Sequence, residues 1–227
     1  MAPEQATPHL KLRNTLISIP AHGVWLDGLL SHAPDVRGLA LLPQSSGHPA
    51  LDNVPRPVEL ALQARGFATI RLDLLTRQEV MRDPDAPFNI PRLTERILAA
   101  AEWIAHQPPL AALQIGLVVR DTGCAAAIRA AVKATETFAA IACMDGRADL
   151  AGAEPLRLLR CPVRFIVSPG SPESVMLEKA FSLLSGPRHW LALPDSGDAR
   201  QQEMLQARAV MTWLDQHLGS GLHAKVE

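Results

Sequence analysis

The chain has 227 residues, 48% of them hydrophobic, and carries 22 Lys plus Arg against 23 Asp plus Glu. That length suits one α/β domain with helical layers around a sheet, and a near-neutral charge without any basic run excludes the electrostatic footprint that nucleic acid or an anionic membrane requires. No stretch approaches the roughly 18 to 20 apolar residues of a membrane span and the opening MAPEQATPHLKLRN has no apolar signal core, so neither nucleic acid nor membrane is an expected partner and the expected location is cytoplasmic.

Residues 1–13 are expected to be a flexible lead-in, 14–218 a single domain and 219–227 a flexible tail. Short apolar or alternating runs recur with helical patterns between them, which predicts a mostly parallel twisted sheet of about eight strands flanked by helices. The first two strands, Thr15–Pro20 and Trp25–Ser31, form an antiparallel edge hairpin around Ala21–Val24. Further strands are predicted over Gly38–Leu42, Ala68–Leu72, Gln114–Val119, Ala139–Met144, Val163–Ser168 and Trp190–Leu193.

Between the fourth and fifth strands, Thr76–Asn89 is the longest irregular stretch, with the turn signal Asp83-Pro84-Asp85 and a length that is often functional. Helix Pro91–His106 follows, with proline in its first turn and Leu93, Ile97, Ala101 and Ile104 on one face. The last helix, Gln201–Leu218, is predicted to bury Met204, Ala207, Met211, Leu214 and Leu218. Cys124, Cys143 and Cys161 lie in apolar segments at spacings that fit neither a CxxC motif nor a zinc cluster, so they read as buried thiols. No metal site and no cofactor are implied.

Three segments, LDLLTRQEVMRD (Leu72–Asp83), FNIPRLTERILAAAEWI (Phe88–Ile104) and MDGRADLAG (Met144–Gly152), resemble the dienelactone-hydrolase-like α/β hydrolases, over about residues 25 to 218. A branch of that family is fused to phosphoribosyltransferase domains, and no such domain is expected within these 227 residues. The resemblance implies an α/β-hydrolase fold. Sixteen residues between Met144 and Cys161 leave no space for the helical cap many relatives insert there.

The resemblance also implies where catalytic groups belong. The nucleophile of this fold sits in a G-x-S-x-G elbow between a strand and a helix, and the matching context GLVVRDTGCAAAI puts Asp121 at that position and Val119 at the first glycine, where it crowds the turn. The family's oxyanion loop corresponds to Gln44-Ser45-Ser46-Gly47, so that backbone amides of Ser45 and Thr122 can form an anion-binding concavity. The acid position is Ser171, with Glu173 close enough to substitute, and the base position is Asp198 in Pro194-Asp195-Ser196-Gly197-Asp198. A carboxylate, titrating at about 4, replaces an imidazole poorly in triad chemistry.

His48 is the one histidine expected near the top of the sheet, Arg120 reads as a local charge partner of Asp121, and Arg147 with Asp149 as a structural turn. These residues lead to a pseudo-hydrolase with a small-ligand pocket at the carboxyl ends of the strands. One alternative is a diverged hydrolase using Asp121 as nucleophile, or as acid/base with Asp198, in which case the two carboxyl groups approach each other. The other is a scaffold acting through its surface. A small-molecule ligand is the partner this reading allows; a homo-oligomer is allowed, with nothing in the sequence to support one.

Overall fold

The computed structural model describes residues 11–45 and 56–218. Strands Arg13–Ala21 (β1) and Val24–His32 (β2) alternate between more buried and exposed positions next to their connection, over residues 17–21 and 24–28, as expected where only one face of a sheet is covered. They are joined by His22 and Gly23 at φ 47° and 84°, the two positive values a tight hairpin turn requires. Then follow strand Leu39–Gln44 (β3), helix Pro57–Ala64 (α1), strand Ala68–Asp73 (β4), helix Arg77–Arg82 (α2) and helix Ile90–Ala105 (α3). Strand Ile115–Arg120 (β5), helix Gly123–Lys133 (α4), strand Phe138–Met144 (β6) and helix Ala153–Leu158 (α5) come next. The chain closes with strand Val163–Val167 (β7), helix Ser174–Leu183 (α6), strand Arg188–Ala192 (β8) and helix Ala199–His217 (α7). Each predicted strand is present, its ends moved by a residue or two.

The eight strands form one sheet in the order β1-β2-β4-β3-β5-β6-β7-β8. Only β1–β2 and β2–β4 pair antiparallel; the remaining pairs are parallel. β3, β5 and β7 are buried along nearly their whole length, because helices cover both faces, and their unbroken apolar runs reflect this. On one face α1 and α7 pack over Leu42, Val118, Ala140 and Ile166. On the other, α3, α4 and α6 pack over Leu41, Leu117, Val119 and Phe165. No cap intervenes between β6 and β7, where a short 3-10 turn (Ala148–Ala151) and α5 make the connection. Among the described residues no helix is long and apolar enough to cross a membrane.

Two expectations change. The irregular stretch Thr76–Asn89 contains α2 and a 3-10 turn, Ala86–Phe88. Its start is a capping box: the Thr76 hydroxyl accepts from the Glu79 N–H (3.2 Å) and the Glu79 carboxylate accepts from the Thr76 N–H (3.0 Å). The buried face of α7 is shifted from the predicted stripe: Ala207, Leu214 and Leu218 are buried as predicted, but Val210 and Trp213 join them and Met204 is 60% exposed. Trp213 decides this, since its indole donates to the Ile141 carbonyl of β6 (2.9 Å) and its ring lies 4.5 Å from the Arg164 guanidinium, fixing the helix by an aromatic anchor.

Candidate functional site at the carboxyl ends of the strands

β5 ends at Arg120 and α4 begins at Gly123, so the chain turns through two residues. The turn is made possible by Asp121 at φ 49°, in the left-handed region that Asp and Asn tolerate better than other side-chain-bearing residues. Gly146, at φ 88°, underlies it so closely that a Cβ would stand 2.6 Å from both the amide nitrogen and the carbonyl oxygen of Asp121. The Arg147 N–H donates to that carbonyl (3.0 Å). The elbow is thus clamped by the β6 loop, and Asp121 projects exposed from its apex. Val119, expected to crowd this turn, instead directs its side chain into the α3/α4 core; a Cβ on Gly123 would lie an ordinary 3.8 Å from its Cβ.

A cavity of about 580 Å³ opens over the elbow, within the range of small-molecule sites. Ser45, Asp121 and Thr122 form its polar base, Pro87 and Phe88 one wall, and Pro172, Glu173 and Met176 the opposite one, with Arg147 beside them. The 3-10 turn Ala86–Phe88 and the segment Pro172–Met176 that leads into α6, distant in sequence, therefore border the same cavity as Asp121. Phe88 is 57% and Met176 40% exposed, large apolar side chains held open to solvent at the rim.

The charges divide unequally. Arg147 is engaged by Asp149 through two parallel bonds, Nε to Oδ1 at 2.9 Å and Nη2 to Oδ2 at 2.8 Å. This pairing raises the Arg147 pKa, with nearby Glu173 adding to the effect, and lowers that of Asp149. Glu173 accepts from the Ser171 hydroxyl (3.2 Å). The Asp121 carboxylate makes no hydrogen bond or ion pair among the described residues. Thr122 is 4% exposed and its hydroxyl is likewise without a partner there, a condition that costs about 1–3 kcal/mol in a buried group.

Of the residues expected at the pocket, Ser45, Asp121, Thr122 and Glu173 line the cavity together. Ser171 is one step behind, bonded to Glu173. Ser46 and His48 lie outside the described residues. Gln44 faces the α1 side, where its side-chain oxygen accepts from Arg56. Arg120 is not the partner of Asp121: it donates to Gln206 of α7 (2.6 Å), and Gln206 donates to the Ser168 hydroxyl (2.7 Å), which donates to Asp145 (2.7 Å). The reason is strand alternation, which sends Arg120 and Val118 to the α7 face. Asp198 is not among the lining residues either; its carboxylate accepts from the Gln201 N–H (2.7 Å) and caps α7. Among the described residues no histidine lines the cavity, and no group of three or more His, Cys, Asp or Glu side chains is placed to hold a metal. Phe88, Pro172 and Met176 were not singled out by sequence reasoning; the length of the segment ending at Asn89 was the one signal pointing to that wall.

No family model matches the chain. Among curated proteins it is 33% identical over 167 residues to a Mycobacterium tuberculosis protein that carries the provisional name phosphoribosyl transferase; the match takes in 74% of this chain and 37% of the relative. The chain thus spans little more than a third of the curated relatives it matches. Among solved structures it is similar to a dienelactone hydrolase from Anabaena variabilis, with a TM-score of 0.84 and 27% identity over 92% of this chain and 99% of that one. An esterase of Pyrococcus furiosus shares the fold at a TM-score of 0.71 and 11% identity, over 96% and 98% of the two chains.

Proposed function

Starting from a chain that has the dienelactone-hydrolase-like α/β-hydrolase fold, we propose that it is a pseudo-hydrolase, a protein that binds a small ligand in the elbow cavity and does not turn over esters by a covalent route. The observation that carries this reading is the side chain at the apex of the strand-turn-helix elbow: it is the carboxylate Asp121, at φ 49° over Gly146, at the position to which the resemblance assigns the nucleophile. Attack by a carboxylate on an acyl group gives an anhydride, and on an alkyl carbon an ester. Either must then be hydrolysed by water that a base has activated. Asp198, to which the resemblance assigns the base, has its carboxylate on the first turn of α7, and no imidazole faces the cavity among the described residues.

The competing reading, a diverged hydrolase with Asp121 as nucleophile, is favoured by one feature: the Asp121 carboxylate is exposed and without a protein partner among the described residues. Intact-mass measurement separates the two. After incubation with a fluorophosphonate, with iodoacetamide and with a short haloalkane, the expected mass is that of the unmodified chain. A fluorophosphonate or iodoacetamide adduct that disappears on mutating a cavity residue would overturn the proposal, and an alkyl ester on Asp121 would establish the competing reading. A residual non-covalent esterase rate is compatible with either, since backbone oxyanion donors alone contribute on the order of 10² to 10³.

A further inference from the structure

We infer that the ligand of the cavity is an amphiphilic organic cation, a protonated amine on a short apolar body, with its ammonium on the Asp121 carboxylate and its body between Phe88 and Met176. This inference rests on the reading of the cavity as a ligand site. Ionisable groups in the wall are Asp121, Glu173 and Arg147. Arg147 presents little net positive charge, because its guanidinium is bound in a fork by Asp149 and lies beside Glu173. An anion entering here would face two carboxylates and a cation already neutralised. A cation would face Asp121, whose carboxylate has no partner among the described residues, in a partly enclosed site where solvent screens the attraction less than at an open surface.

A second observation points the same way. Apart from these charged groups, Ser45 and Thr122, the described lining is apolar: Pro87 and Phe88 from one segment, Pro172 and Met176 from another. Such walls reward an alkyl or aryl body and do not reward further polar groups. The combination selects against small inorganic cations, which would leave the rim exposed, and against neutral hydrocarbons, which would bury Asp121 without a partner.

Ligand-observed NMR on the full chain, with n-hexylammonium, hexan-1-ol and hexanoate as probes, tests the inference. Hexylammonium is expected to bind at least tenfold more tightly than hexanol, and hexanoate not to bind. Asp121→Asn should weaken hexylammonium at least tenfold and leave hexanol unchanged; Asn accepts the left-handed backbone of this position, so the variant retains the fold. The inference is overturned if hexanoate binds as well as hexylammonium, if Asp121→Asn leaves the affinity unaltered, or if none of the probes binds. None of the probes has a hydrolysable bond, so these results stand apart from the covalent-labelling experiment that tests the pseudo-hydrolase reading.

Discussion

Replacing Glu79 by glutamine removes a single charge from the joint that carries the Phe88 wall of the cavity. Besides closing the capping box of α2, the Glu79 carboxylate takes both Nη1 (2.9 Å) and Nη2 (2.6 Å) of Arg96 on α3. Arg96 is 3% exposed at its side chain, and its one other bond goes to the Leu74 carbonyl (2.6 Å). The bond from Arg96, followed in the same direction by the Thr76 N–H, holds the Glu79 carboxyl down at about 2 against an ordinary 4.5, with burial working against them. By linkage that depression corresponds to about 3 kcal/mol of stability. Because Glu79 is 21% exposed, solvent screening reduces it to about 2 kcal/mol. The variant also strands a buried guanidinium, which pulls the cost back up, so the expected loss is about 2–3 kcal/mol at pH 7.

The sign follows from the direction of the depression. A carboxyl whose folded pKa lies below its unfolded one stabilises fully above pH 4.5 and progressively less as the pH falls toward 2. Urea denaturation of wild type and Glu79→Gln at pH 7, 4 and 3 should therefore show a gap that is largest at neutral pH and narrows in acid. Limited proteolysis should find the 76–89 segment more readily cut in the variant. Equal urea midpoints at pH 7, or a gap that stays constant down to pH 3, would show that the ion pair does not hold the wall.

Three further outcomes are expected. Gly146→Ala places a Cβ 2.6 Å from two backbone atoms of Asp121 at a φ of 88°, so it should lose about 2 kcal/mol or more and shift the amide resonances of Asp121 and Thr122; a variant as stable as wild type would mean that the elbow is not clamped. Asp198→Ala should lower stability in equilibrium denaturation by about 1 kcal/mol, through loss of the α7 cap, without altering hexylammonium affinity, and a change in that affinity would return Asp198 to the cavity. The thiols should be poorly reactive: burial pushes Cys124 well up, with Cys143 beside it adding to the effect, and pushes Cys161 to about 12. A thiol-disulfide reagent at pH 8 should accordingly leave Cys124 and Cys143, both buried, unmodified in the native chain, react slowly with Cys161, which is half-buried rather than buried as expected, and modify all three in urea; rapid native-state reaction of Cys124 or Cys143 would contradict the burial.

Much of the architecture is legible in the sequence because it is local. The apolar runs of β3, β5, β6 and β7 and the stripe Leu93, Ile97, Ala101, Ile104 on α3 are periodicities, and they report which side of its own element each residue occupies. The elbow was legible for the same reason: a strand, a two-residue turn and small residues opening a helix are contiguous. Two features are equally local, the Thr76–Glu79 capping box and the cap of Asp198 on α7, since each joins residues three apart in the chain. What the sequence alone could not decide is which loops become neighbours. Phe88 follows β4, Asp121 follows β5, and Pro172 and Met176 follow β7; they surround one cavity because non-local pairing sets the strand order β4-β3-β5-β6-β7. Side-chain partners across that edge are decided in the same way. Whether Arg120 meets Asp121 or Gln206, and whether Asp198 meets the elbow or its own helix, depends on where α7 docks, and that is fixed by the packing of Trp213, Val210 and Leu214 on the sheet far from the site itself.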